Sequence, residues 1–301
     1  MRKYRVRILY DVKFWAYYWR AMALKKYAPD DFEITMGSNY GKAFKDQPHD
    51  LVLQLAYSYA KDLRSHMNRA GYTFPLVASF NVGWGYANKW LHDTMKYSDH
   101  TIINSHSMWD KSGRLAKTTN ISNGVDLQVF KPTVPIVKRP NKVLWIGSIC
   151  HRKTKNYDTI LVPLAKQLKA KKIEVDFRLV NSSGANRMNH RQMAEWYNTG
   201  SVYVVASRAE GTPNPGLEAA GCGLPVVSTR VGNMTELIVD GKNGYLCDTT
   251  IDSLYKGILK AIKNKEALSN EMSKSIQEWG WEQRSKQYFD LFRKLINEKH
   301  K

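Results

Sequence analysis

A chain of 301 residues with 43% hydrophobic residues, nine Trp and seventeen Tyr has core material for two compact domains, which excludes a disordered protein. Forty-six Lys and Arg against 27 Asp and Glu leave a formal net charge of +19, and both halves share the excess. A field of that sign concentrates anionic partners, of which three fit: a nucleotide-sugar, an anionic membrane surface or nucleic acid.

The basic N-terminal stretch alternates polar and apolar residues, unlike a signal peptide. No apolar run nears the roughly 20 residues that cross a bilayer. Short runs rich in Val, Ile and Leu at 5–10, 51–55, 76–80 and 101–104 read as strands buried on both faces of a parallel sheet. Next comes Phe130 to Asn141, a stretch with three prolines and no sustained periodicity, which reads as a linker between domains. Further strands are expected at 143–146, 175–180, 202–206 and 225–228. A helix is expected over 157–170, where Ile160, Leu161, Leu164 and Leu168 recur at helical spacing. Strand–helix–strand repeats with right-handed crossovers give an α/β fold of doubly wound sheets. The expected division is 1–132, a linker at 133–141, a second domain at 142–274, and an aromatic-rich helical tail at 275–301 packing back on the body.

Cys150, Cys222 and Cys247 lack CxxC spacing and read as reduced, partly buried thiols. A cytoplasmic protein follows, with no obligate protein partner evident. His92, His100 and His106 show no paired metal spacing and no Asp-x-Asp sequence occurs, so no metal is expected.

Ligands of doubly wound sheets bind where strands end and loops lead into helix N-termini. The segment after the 202–206 strand is the richest such place. Glu210 stands at the strand end and Glu218 within a short helix, with seven residues between them in a Pro-stiffened loop. The amides of Asn214, Gly216 and Leu217, with the helix N-terminus, suit an anion, and the carboxylates suit vicinal hydroxyls. Taken alone, the spacing of the two glutamates favours Glu218 serving its own helix and Glu210 standing in a solvated turn.

Four collinear segments carry a resemblance. Glu210 to Glu218 resembles the E-x7-E motif of retaining GT-B glycosyltransferases of glycosyltransferase family 4, and Ala219 to Val227 is similar to the continuation that follows it there. Residues 230–246 and the stretch from Ile121-Ser122-Asn123-Gly124-Val125-Asp126 to Pro132 resemble two more segments of the family. The resemblance implies a GT-B fold of two Rossmann-like domains facing a central cleft, the first binding the acceptor and the second a nucleotide-sugar. It implies that Glu210 contacts the transferred sugar, that Glu218 holds the ribose, and that Gly211, Thr212, Pro213, Asn214, Gly216 and Leu217 line the donor. A lysine past the first strand of the second domain pairs with the diphosphate in the family, and Lys155 matches it, near Gly147 and Ser148. Where the family has Arg, this chain has Ser148, with Arg152 or Lys153 as the replacement cation.

The family's first-domain histidine is missing. Ser79-Phe80-Asn81-Val82-Gly83 stands there, with Asn81 as active-site candidate, and Lys13 and Trp15 are expected on the acceptor side. The implied reaction is metal-independent transfer with retention from a UDP-sugar first and a GDP-sugar second, with no cofactor. A glycan or lipid-linked saccharide at the anionic inner membrane surface is the first acceptor expected, since basic residues bind such surfaces. DNA bearing a hydroxylated base is the alternative, with the aromatic-basic stretch 13–20 on phosphates and a flipped base; that stretch also reads as an amphipathic first helix with its aromatics in the core. Outside transfer, a GT-B epimerase or a non-catalytic sugar-nucleotide binder has the same motifs.

Overall fold

In the computed structural model the alternating apolar runs form two parallel sheets, each with helices on its faces. The structure describes residues 2–38, 49–81, 87–181 and 188–299. Two compact units divide the chain, one of Met1–Gly124 with Trp281–Lys301 and one of Val125–Gly280.

The first unit builds its sheet from β1 (Tyr4–Leu9), β2 (Phe32–Gly37), β3 (Leu51–Gln54), β4 (Leu76–Phe80), β5 (His100–Ile103) and β6 (Thr118–Asn120), in the order β2-β1-β3-β4-β5-β6. Its helices are α1 (Ala16–Lys26), α2 (Ala60–Arg69), α3 (Ala87–Tyr97) and α4 (His106–Lys111). In α1 the residues sent inward are Arg20, Ala21, Ala23 and Leu24. Tyr17 packs against the core, whereas Tyr18 and Trp19 stay half-buried in a cluster with Tyr10 and Phe14, so the aromatics of this helix fill the core only in part.

The second unit holds β7 (Lys142–Ser148), β8 (Glu174–Val180), β9 (Val202–Val205), β10 (Val226–Thr229) and β11 (Gly244–Cys247), ordered β11-β10-β9-β7-β8. Between them run α5 (Val162–Ala170), α6 (His190–Tyr197), α7 (Asn214–Gly221), α8 (Met234–Leu237), α9 (Ile251–Lys263) and α10 (Lys265–Ser275). A π-helical turn, Tyr157–Leu161, leads into α5, so the periodicity over 157–170 is one helical stretch with a wide first turn. Strand pleating divides the core. Val143, Trp145, Val202 and Val204 pack on one face, and Leu144, Ile146, Tyr203 and Val205 on the other. Burial on both faces is why these strands read as continuous apolar runs.

The final helix, α11 (Trp281–Lys299), belongs to the first unit and buries Trp281, Tyr288, Phe289, Phe292 and Ile296 with Val6, Ile8, Leu24 and Phe32. Residues 133–141, expected as a linker, belong to the second unit and run along its surface, with only Ile136 and Arg139 buried. Arg139 is 3% exposed and donates to Val134 O, Asn198 Oδ1 and Cys222 O. Proline content marks an irregular backbone there, and these side-chain bonds are what tie it down.

Helix α9 starts at Thr250, whose Oγ1 accepts from Ser253 N at 3.2 Å. Thr250→Ala is expected to cost about 1 kcal/mol, read as a small drop in the thermal midpoint with the helical signal unchanged.

Candidate active site

Both sheets reverse strand order once, at β1/β3 in the first unit and at β7/β9 in the second. Loops leaving two neighbouring strands in opposite directions open a crevice at such a switch point. In the second unit the β7–β9 ladder pairs only Val143 with Val202 and Leu144 with Tyr203, although β7 runs on to Ser148. The residues past both strands are those the sequence singled out.

The two loops are tied together through Asn156. It is 1% exposed and adopts a left-handed conformation with φ 52°, which Asn tolerates better than most side chains. Its Nδ2 donates to Ala206 O at 2.8 Å, and its Oδ1 accepts from Arg208 Nε at 2.6 Å. Arg208 N donates to Thr154 O at 2.9 Å, closing the seam. Lys155 is thereby held over the crevice, with Nζ 2.6 Å from Glu210 Oε1 and each side chain 17% exposed. Ser207 Oγ donates to the same carboxylate oxygen at 2.8 Å. Gly147 makes room for this lysine, since a Cβ there would lie 2.8 Å from Lys155 Cδ and 2.6 Å from the Trp145 ring.

A third loop, after β10, braces the Glu210 turn. Asn233 N donates to Gly211 O at 3.1 Å and Asn233 Nδ2 to Thr212 Oγ1 at 3.2 Å. Gly232 has φ +49°, and a Cβ on it would stand 2.3 Å from Gly211 O, so only glycine lets the two backbones approach. Pro213 precedes the first turn of α7. The Asn214 amide donates to Thr212 O at 2.9 Å, Gly216 to Pro213 O at 2.8 Å, and Leu217 to Pro213 O at 3.4 Å. The expectation that these three amides face an anion is therefore corrected: the tight turn into the helix already uses them. Gly216 also packs closely on Met234 and Val205, where a Cβ would lie 3.0 Å from Met234 Sδ.

Glu218 sits in α7, half-buried, with Oε2 accepting from Tyr197 Oη at 2.9 Å. Burial pushes its carboxyl from 4.5 up to about 7, and the Tyr197 hydrogen bond offsets only part of that rise. Tyr197 is itself fully buried on α6, and burial raises its own pKa well above the ordinary value.

Other candidates are placed differently. Arg152 is engaged by both oxygens of Asp158 and lies 5.3 Å from the Tyr157 ring, which turns it toward a carboxylate rather than leaving it as a spare cation for Ser148's place. Ser148 Oγ caps the following turn by accepting from Cys150 N at 3.3 Å. Asn81, Lys13 and Trp15 belong to the first unit. Asn81 Oδ1 accepts from Arg20 Nη1 and Ser79 Oγ, each at 3.1 Å, while Lys13 Nζ rests 5.0 Å from the Phe14 ring and Trp15 begins α1. Val82 and Gly83 lie outside the described residues. All three cysteines are free, Cys222 and Cys247 buried and Cys150 exposed.

Asn156, Ser207, Tyr197 and Asn233 were not foreseen. Asn156 had a weak local signal, an Asn after a basic turn, whereas Tyr197 reaches Glu218 only through packing of α6 on α7. Among the described residues no three His, Cys, Asp or Glu side chains are grouped to hold a metal ion, and no helix is long and apolar enough to cross a membrane.

Comparison with known proteins agrees with this geometry. Residues 140–264, which contain the whole crevice, match the family model described as glycosyl transferases group 1. The chain is 26% identical over 195 residues to a D-inositol 3-phosphate glycosyltransferase of Arthrobacter sp. (strain FB24), covering 53% of this chain and 46% of that protein. It is 32% identical over 131 residues to a probable sucrose-phosphate synthase of Thermosipho melanesiensis, covering 42% and 29%. The chain thus spans less than half the length of these curated relatives. Among solved structures, sucrose-phosphate synthase from Thermosynechococcus elongatus superposes with a TM-score of 0.74 at 16% identity, covering 98% of this chain and all of that one. Anabaena HepE in complex with UDP-glucose gives 0.72 at 15% identity, covering 96% and 99%. The fold is that of GT-B glycosyltransferases, two Rossmann-like α/β units.

Proposed function

We propose that this protein is a nucleotide-sugar-dependent glycosyltransferase whose donor binds in the β7/β9 crevice of the second unit. The observation that carries the reading is the Lys155–Glu210 pair, which joins the two switch-point loops within the segment matched by the family model. An ammonium beside a carboxylate at a strand-end crevice fits a ligand that is half pyrophosphate and half polyol. The cation meets the diphosphate, and Glu210 accepts from sugar hydroxyls. Glu218 accepts from the ribose diol, while the turn of Gly211, Thr212, Pro213, Asn214, Gly216 and Leu217 shapes the space between.

The donor is a UDP-sugar, the reading favoured by the UDP-glucose held in HepE, whose fold is shared. In transfer the bond from the anomeric carbon to the diphosphate oxygen breaks, a bond to an acceptor hydroxyl oxygen forms on the same face, and the hydroxyl proton passes to the departing diphosphate. The transition state is oxocarbenium-like. Lys155 stabilises the charge that grows on the departing diphosphate, and no metal takes part. The acceptor is a glycan or lipid-linked saccharide.

A thermal-shift panel of UDP, GDP, ADP and their glucose conjugates tests the reading. UDP at ten times its Kd is expected to add about 1.4 kcal/mol, a rise of roughly 3–6 °C, and Glu218→Ala is expected to abolish it. No stabilisation by any of the nucleotides rules the proposal out.

A further inference from the structure

The first unit carries a groove between α2 and α3 that the donor chemistry does not use. It encloses about 580 Å³, within the range of small-ligand sites, and is lined by Tyr57, Ser58, Ala60 and Lys61 on one side and by Trp90, Asp93, Thr94 and Tyr97 on the other. Trp90, Asp93, Thr94 and Tyr97 recur at helical spacing, so they share one face of α3. Trp90 is 42% exposed. Its ring lies 6.3 Å from that of Tyr57 with 28° between their planes. Tyr57 in turn is fixed edge-on against the buried Phe80 ring at 4.9 Å. The groove begins just past β3, one of the two strands that flank the switch point of this sheet.

The lining selects among ligands. Among the described residues it holds no Leu, Ile, Val or Met, so an acyl chain finds no aliphatic wall in them. Lys61 and Asp93 oppose each other in sign, so a phosphate backbone gains no net attraction here despite the positive charge of the chain. A pyranose fits both halves of the chemistry. Its C–H face stacks on an aromatic plate, its vicinal hydroxyls donate to the Asp93 carboxylate, and its hydroxyl oxygens accept from Lys61 or Ser58. Among the described residues Asp93 is held by an exposed contact to Lys96 at 3.5 Å, which a ligand displaces at little cost.

We infer that the Tyr57–Trp90 groove is a saccharide-binding site, with Trp90 as its stacking platform and Asp93 as its hydroxyl acceptor. The inference rests on the proposed transfer reaction only in giving the bound saccharide the role of acceptor chain.

Titration of the full chain with maltotriose, cellotriose and chitotriose, followed by saturation-transfer NMR and calorimetry, tests it, with a UDP thermal shift run on every variant. At least one trisaccharide is expected to bind, about tenfold more weakly to Trp90→Ala, with the UDP shift unchanged. Asp93→Asn, which leaves the aromatic face intact, is expected to weaken the same saccharide and provides a second reading should Trp90→Ala fold poorly. Binding of none of the three, or binding that both substitutions leave unchanged, overturns the site. So does substitution-sensitive binding of single-stranded poly-dT with no saccharide bound. Saccharide binding sensitive to these substitutions, without a shift from any nucleotide of the panel, supports the groove and sinks the transferase reading instead.

Discussion

Lys155→Ala is expected to lower the rate of sugar transfer by about 10²–10³-fold, the usual cost of removing one preorganised charge that acts on a developing anion. The argument is geometric. Lys155 is held by the Asn156 seam between the β7 and β9 loops, mostly out of solvent, and Gly147 leaves the space its stem occupies. A cation fixed in this way needs no reorganisation when the diphosphate departs. The check is release of nucleoside diphosphate from the donor identified by thermal shift, with kcat and KM separated. A fall in kcat places the charge in the transition state, whereas a rise in KM alone reduces it to ground-state binding. Because Lys155 and Glu210 are in direct contact, Lys155→Ala combined with Glu210→Gln is expected to cost less than the sum of the two single changes. Unchanged turnover in Lys155→Ala removes the lysine from the mechanism.

The pH dependence of stability follows from Glu218. Its carboxyl is raised from 4.5 to about 7, chiefly by burial, so between those values the native state keeps a proton that the unfolded chain has given up. Where the native state binds more protons, stability falls as pH rises. The loss accumulates through that window and is complete above about pH 7, at a cost on the order of 3 kcal/mol. Glu218→Gln, which keeps an oxygen for the Tyr197 hydroxyl, is expected to flatten the slope and to make the protein more stable than the parent at pH 8. Denaturant titrations from pH 4.5 to 8 measure this, and parallel slopes in the two proteins remove Glu218 as the source. The same ionisation links to ligand: a ribose diol donates to the carboxylate, so nucleotide affinity is expected to rise with pH up to about 7 in the parent and to lose that rise in Glu218→Gln.

Central strands were legible because burial on both faces writes an apolar run directly into the chain, as in β3, β4, β7 and β9. Three strands went unread, namely β2, β6 and β11, and all lie at sheet edges. Phe32–Gly37 is only partly buried, and Thr118–Asn120 has no buried residue at all, so neither carries the signal. Composition and local pattern alone therefore determined two α/β layers, the strand-end loop with Glu210 and Glu218, and the helical nature of 157–170 and of the C-terminal tail. Tertiary structure decided which groups meet: Lys155 with Glu210 across 55 residues, Tyr197 with Glu218, Arg139 into the second unit, and α11 into the core of the first. The physical reason is that periodicity reports only how much of a residue is covered. Which partner covers it, and whether an amide is already used within its own turn as at Asn214 and Gly216, depends on where distant segments pack.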